Sequence, residues 1–255
     1  MLPEQRRRKI LELLQEEGSA KVAYLKDLFS VTEPTIRQDL DKLEEEGFVV
    51  RSHGGAFLKT IPNQVKNLDL QHRQNMDKKV RIGKKAAEFI NDGDSIILDA
   101  GTTTTEVANQ LEHVQNLNIV TSALNIALII GARFNAQVMM TGGEFKAPTL
   151  SVTGESAAKF FDNTIFASKL FLAATGISEE GRITYPGLSD IPLKKAMIAA
   201  AKDVYLVADS TKMGKIAFAH LGDIDLVRHI ITDSDVPQQY VDLFKSRGVE
   251  VIIAD

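Results

Sequence analysis

The chain has 255 residues, 44% of them hydrophobic and 25% charged, with a net charge of −4. That balance suits a soluble globular protein of one large domain, or a small domain plus a larger one, and excludes wholesale disorder. The absence of cysteine excludes disulfides, thiolate metal sites and a cysteine nucleophile and fits a reducing cytoplasm. No apolar run approaches the ~20 residues of a membrane helix, and Glu12, Glu16 and Glu17 break any signal-peptide core at the N-terminus.

The first sixty residues read as three helices and a hairpin. Pro3 marks a helix start and Gly18 its stop, with Ile10, Leu13 and Leu14 facing inward. A second helix spans roughly Val22 to Phe29 and is expected to bury Leu25, Leu28 and Phe29. Ser30 and Val31 turn the chain into Thr32–Leu43, where Ile36, Leu40 and Leu43 form an apolar stripe. Thr32 stands where an N-cap belongs, its hydroxyl placed to take a free backbone N–H, and Pro34 is tolerated in the first turn. Pro34, Gln38, Asp41 and Lys42 point away from the stripe, with Thr35 and Arg37 on its flanks. After Gly47, Phe48–Arg51 and Ala56–Leu58 read as strands around Ser52-His53-Gly54-Gly55. The pattern is a helix-turn-helix followed by a wing.

Charge complicates a nucleic-acid reading. Residues 1–60 hold 10 Lys and Arg against 11 Asp and Glu, short of the basic domain such a reader usually presents. Arg6 to Lys9, Arg37 and Arg51 can share one face, while Glu44 to Glu46 at the far end of the third helix would be repelled by phosphate. Two readings stand on composition: a DNA reader using only the first two turns of that helix, or a three-helix docking module with a solvated charged face. In the first, Thr32, Thr35, Arg37, Gln38 and Lys42 face the groove. Arg51 and His53 contact phosphate there, and Gly54 and Gly55 let the backbone come close. Asp39 reads as structural, holding a nearby Arg or backbone N–H.

Arg6, Ile10 and Leu14, then Thr32, Thr35-Ile36-Arg37, Asp39-Leu40 and Leu43, then Glu44-Glu45-Glu46-Gly47 and His53-Gly54-Gly55-Ala56, resemble the N-terminal domain of DeoR-type transcriptional regulators. The resemblance covers nearly all of residues 3–58 and implies a winged helix-turn-helix on operator DNA. Gln38 departs from it, standing where many members look basic; glutamine pairs bidentately with adenine, arginine with guanine.

Residues 59–78 are polar with little periodicity and read as a linker into a helix from Lys79 to Ile90, which opens a domain over 79–255. From Asn91 one grammar recurs: a short apolar run ends in small or acidic residues and a helix-like segment follows. The runs are Ser95–Leu98, Ile119–Val120, Val138–Met140, Leu170–Leu172, Val204–Val207, His229–Ile231 and Val249–Ile253. This predicts an α/β domain with a mainly parallel sheet, binding its ligand beyond the carboxyl ends of the strands.

Asp99-Ala100-Gly101-Thr102-Thr103-Thr104-Thr105 runs from a strand into a helix whose free N–H groups and hydroxyls suit an oxyanion. It lacks the lysine of a nucleotide P-loop and any G-x-G-x-x-G. A sugar phosphate fits better than a nucleotide, and an ordinary capped βα turn fits as well. Ser122, Asn125, Gly142, Gly143, Glu144, Thr175, Lys194, Asp209 and Lys212 fall on the same predicted rim. The five histidines show no metal-ligand spacing, so no metal and no cofactor are expected.

Asp99-Ala100-Gly101-Thr102-Thr103, Thr121-Ser122-Ala123-Leu124-Asn125, Gly142-Gly143-Glu144, Gly176-Ile177 and Ala208-Asp209-Ser210-Thr211-Lys212 look like the C-terminal effector domain of the same family. That domain is similar in fold to ribose 5-phosphate isomerases, and the resemblance implies a phosphorylated sugar or sugar derivative as effector. Thr175 and Pro192 depart from the pattern where relatives look acidic. Thr175 cannot be a general base, so a sensor is the reading preferred over a sugar-phosphate isomerase with an appended docking domain. The partners expected are operator DNA, the effector and further copies of the chain as a dimer or tetramer, because half-sites one helical turn apart need at least two readers.

Overall fold

The computed structural model describes residues 2–17, 19–52, 54–58, 72–133, 136–162 and 164–255. Gly18, His53 and most of the stretch read as a linker (59–71) lie outside them. The chain forms two compact units, Met1–Asn67 and Leu68–Asp255. The second therefore begins inside the expected linker.

In the first unit α1 (Pro3–Glu17), α2 (Val22–Phe29) and α3 (Glu33–Glu45) surround a core of Ile10, Leu14, Leu25, Ile36, Leu40 and Leu43. The apolar positions recur at three and four residues, so each helix lays one stripe on the others. Leu28, expected inside, is 48% exposed, because Val22 and Leu25 complete the inner face of the short α2. Between α1 and α2 lies an unforeseen strand, β1 (Ser19–Lys21). It pairs antiparallel with β3 (Gly55–Leu58), which pairs in turn with β2 (Val49–Ser52), giving the order β1-β3-β2. A Cβ on Gly55 would lie 2.2 Å from the Ala20 carbonyl oxygen. This glycine is therefore required by the close packing of β3 on β1.

The second unit opens with α4 (Met76–Ala87), which starts at Met76 instead of Lys79. All seven apolar runs are strands: β4 (Ser95–Leu98), β5 (Asn118–Thr121), β6 (Gln137–Met140), β9 (Ala167–Ala173), β12 (Ala201–Val207), β14 (His229–Asp233) and β15 (Glu250–Ala254). They form one parallel sheet in the order β15-β14-β12-β9-β4-β5-β6. The inner strands β4, β5, β9, β12 and β14 are largely buried and read as near-continuous apolar runs, while the edge strands β6 and β15 are partly exposed. Helices α4, α5 (Thr102–Asn109) and α6 (Leu124–Arg133) cover one face through Ile82, Val107 and Ile126. Helices α7 (Glu155–Lys159), α8 (Asp190–Ala199) and α9 (Gln238–Ser246) cover the other through Ala157, Leu193, Met197 and Phe244.

Two antiparallel additions carried no alternating signal. The hairpin of β7 (Glu144–Lys146) and β8 (Ser151–Thr153) follows β6. A small sheet of β10 (Gly176–Ile177), β11 (Arg182–Tyr185) and β13 (Ala219–Asp223) lies on the α8 side. Helix α8 begins at Asp190, with Pro192 inside its first turn. Asp190 accepts from Lys146 Nζ at 2.8 Å and Thr153 Oγ1 at 3.2 Å, fastening the hairpin to the helix start.

Strand order moves outward from β4 through β5 to β6 on one side and from β9 through β12, β14 and β15 on the other. The reversal between β4 and β9 is the place where a doubly wound sheet opens a crevice beyond its carboxyl ends.

Candidate nucleic-acid interface and effector site

In the first unit the polar side of α3 is exposed at Thr32, Arg37, Gln38 and Lys42 and half-buried at Thr35. Thr32 has the extended backbone of an N-cap, but its hydroxyl pairs with the Thr35 hydroxyl at 2.8 Å, not with a backbone N–H. Arg37 donates to Glu33 Oε1 at 2.7 Å, and Lys42 donates to Glu45 Oε2 at 2.8 Å. Exposed pairs of this kind are worth under ~1 kcal/mol, so phosphate can displace them. Asp39 is structural as read: it is buried, and Arg6 Nε donates to it at 2.5 Å. That removes Arg6 from the basic face, because its guanidinium is consumed between α1 and α3. Arg51 does not project outward either: its guanidinium donates to Asp41, and its backbone N–H donates to Glu44 Oε1 at 2.8 Å. Gly54 is exposed at the hairpin tip.

In the second unit the rim residues divide between the two faces of the sheet. At the end of β4, Asp99 is fully buried and faces α8. Lys194 Nζ donates to it, as do the backbone N–H groups of Ala100 at 2.7 Å and Ala173 at 3.1 Å. Burial pushes the Asp99 carboxyl above its ordinary range, while Lys194 and the two N–H groups oppose that. The Lys194 ammonium also lies 5.1 Å from the centre of the Tyr185 ring.

The threonine loop spans the switch point. Gly101 is extended (φ 176°), and a Cβ there would lie 2.6 Å from the Ala173 methyl, so close approach to β9 requires the glycine. Its carbonyl accepts from the hydroxyls of Thr104 at 2.9 Å and Thr105 at 2.7 Å. Asn125 Nδ2 donates to Thr105 Oγ1 at 2.8 Å. These three side chains brace the loop. Thr102 and Thr103 are the loop threonines whose hydroxyls make no hydrogen bond among the described residues.

At the ends of β5 and β6, Ser122 Oγ and Thr141 Oγ1 are buried with no hydrogen-bond partner. Gly142, Gly143 and Glu144 follow, all exposed. Gly143 (φ +134°) is required, because a Cβ would lie 2.6 Å from the Thr153 carbonyl oxygen. Thr175 is half-buried just beyond β9.

The end of β12 supplies the cationic part of the rim. Asp209 is fully buried, and its Oδ1 accepts from the Thr211 backbone N–H at 3.0 Å and from the Thr211 hydroxyl. Its Oδ2 has no hydrogen-bond partner. Lys212 ends the short turn that follows. Sequence reasoning missed Lys79 of α4, which is 3% exposed. Burial, reinforced by the Lys212 charge, lowers its pKa to about 8, against the pull of Asp209 and Glu106. The helix is fastened there: Lys78 Nζ donates to Ser210 Oγ at 2.7 Å and lies 3.0 Å from Asp233, and Asn75 donates to Thr211 Oγ1 at 3.3 Å. A lysine in KKVRIGKK reads as solvated until the fold lays α4 over the end of β12. Among the described residues no group of three His, Asp or Glu side chains could hold a metal ion, and no helix is long and apolar enough to cross a membrane.

Comparison with known proteins agrees with this division. Residues 6–61 match the DeoR-like helix-turn-helix domain and residues 74–234 the DeoR C terminal sensor domain. An uncharacterized HTH-type transcriptional regulator, YulB of Bacillus subtilis, is 34% identical over 98% of this chain and 96% of its own. The glycerol-3-phosphate regulon repressor of Escherichia coli is 30% identical over 97% of each. Among solved structures, ribose 5-phosphate isomerase A from Methanocaldococcus jannaschii is 14% identical with a TM-score of 0.40 over 55% of each chain.

Proposed function

Since the chain belongs to the DeoR family of helix-turn-helix transcriptional regulators, we propose that it represses a carbohydrate-metabolism operon in the cytoplasm and leaves its operator when a phosphorylated sugar or sugar derivative fills the sensor rim. Relatives at this similarity are regulators, not enzymes, which sets aside the isomerase alternative. The observation that carries the effector class is the buried Lys79 beside Lys212 at the carboxyl end of a parallel sheet. Two lysines brought together at a strand end concentrate positive charge there, which a dianionic ligand would complement. Thr102 and Thr103 supply hydroxyls, and Ser122, Thr141 and Asp209 Oδ2 are buried polar atoms suited to the hydroxyls of a polyol. That a relative bears the name of a glycerol-3-phosphate regulon repressor is consistent with this class.

On the DNA side, Thr35, Arg37 and Gln38 read bases from the first two turns of α3, with Thr32 and Lys42 beside them. Two copies on a symmetric operator need at least a dimer. Arg37→Ala is expected to weaken operator binding by roughly 1–3 kcal/mol and relax specificity at one position; unchanged affinity and salt dependence would remove Arg37 from the interface. For the effector, a panel of triose, pentose and hexose phosphates beside the unphosphorylated sugars is read by thermal unfolding. At a hundredfold excess over Kd one sugar phosphate is expected to raise Tm by roughly 5–10 °C and to release an operator duplex. Equal stabilisation of Lys79→Met and Thr103→Glu would place the ligand elsewhere.

A further inference from the structure

We infer that Arg51 is a positioning residue: with Asp41 and Glu44 it clamps the wing to α3 and thereby sets the angle between the two DNA-facing elements. Asp41 and Glu44 stand three residues apart on α3 and so share one helix face. Strand β2 lies against that face, held at one residue by both the side chain and the main chain. The Arg51 guanidinium donates to Asp41, and the Arg51 backbone N–H donates to Glu44 Oε1 at 2.8 Å. The side chain is only 23% exposed, and its Nε is buried without a hydrogen-bond partner. An arginine reaching for phosphate holds its guanidinium in solvent; this one lies along the helix. Reaching out would strip Asp41 of its counter-charge on the side that phosphates approach. The clamp therefore has two effects, fixing the wing and neutralising an acidic group that DNA would repel.

The same helix is fastened on its other side by the buried Arg6–Asp39 pair, so α3 is tied to α1 by one carboxylate and to the wing by two. A reader that places a helix in the groove and a wing on the neighbouring backbone depends on their mutual geometry, so loss of the clamp costs operator recognition more than general attraction to DNA.

The prediction separates a clamp from a phosphate contact by sign. The full-length chain and its variants are titrated with a duplex selected by the wild type from a random library, and with a scrambled duplex, across a salt series. Asp41→Asn removes a negative charge, so a free phosphate-seeking Arg51 would bind both duplexes more tightly. A clamp predicts about tenfold weaker binding to the selected duplex, with scrambled-duplex binding unchanged or tighter. Arg51→Ala is expected to weaken the selected duplex while leaving the slope of log K against log salt unchanged. Tighter selected-duplex binding by Asp41→Asn, or a slope reduced by about one in Arg51→Ala, would overturn the assignment. Glu44→Gln keeps the acceptor for the Arg51 N–H and is expected to bind the selected duplex within twofold of wild type. A loss as large as that of Glu44→Ala would also count against it.

Discussion

On the α8 face of the sensor sheet, Asp99 is closed off: an ammonium and two backbone N–H groups converge on it. On the α4 face, Asp209 spends one oxygen on Thr211 and leaves the other without a hydrogen bond, in a neighbourhood holding two lysines. Both aspartates are fully buried at the end of a central parallel strand. One belongs to a finished structural pair. The other keeps one oxygen without a hydrogen bond among Lys79, Lys212 and Glu106, where charges of both signs meet.

The largest effect expected from this contrast falls on the closed side. Lys194→Met leaves Asp99 charged and unpaired in the interior and is expected to cost about 3–5 kcal/mol of stability, read as a fall in the denaturant midpoint. Adding Asp99→Asn should recover much of that loss; no recovery would mean that Lys194 matters chiefly through Tyr185.

The opposite sign is expected on the open side. Lys79→Met removes a buried charge whose pKa lies well below its ordinary value, so the ligand-free protein should melt at the same or a higher temperature while losing its response to sugar phosphates. A destabilised Lys79→Met would place Lys79 with the structural pairs.

A smaller effect concerns pH. The folded protein holds Lys79 near 8 while the unfolded chain holds it near 10.5, so between those values the unfolded state binds more protons. Stability is therefore expected to rise from about pH 8 to 10.5, and the rise should vanish in Lys79→Met. On the proposed function a dianion bound beside Lys79 would raise that pKa again, so binding near pH 8 should take up about half a proton, measured calorimetrically in buffers of different ionisation enthalpy. The smallest contrast lies within the loop. Thr105→Val removes a brace shared by Gly101 and Asn125 and should cost about 1 kcal/mol of stability, whereas Thr102→Val should leave stability unchanged and weaken only the ligand.

Where apolar residues run together or recur in a stripe, the fold is legible in the sequence: the seven apolar runs are seven strands, and the Ile36-Leu40-Leu43 stripe is the inner face of α3. Asp39 as a structural acid was legible too, because a carboxylate on a helix otherwise meant for phosphate needs a partner. What stayed hidden depends on pairing across long separations. β1 is three residues whose strand character exists only through β3. The β10-β11-β13 sheet uses segments too short to alternate. The partition of the threonine loop into two bracing and two unengaged hydroxyls follows from how α5 turns over Gly101, and Lys79 acquires its character from residues far along the chain.

Gly83 sits one helical turn beyond Lys79, where α4 crosses α5. A Cβ at this position would lie 2.7 Å from the Glu106 carbonyl carbon, so the two helices meet backbone to backbone. The depth to which Lys79 is sunk is thus set by a missing methyl group. Adding that one carbon is expected to push the helix off its neighbour, let water reach the ammonium and bring its pKa back toward the ordinary lysine value.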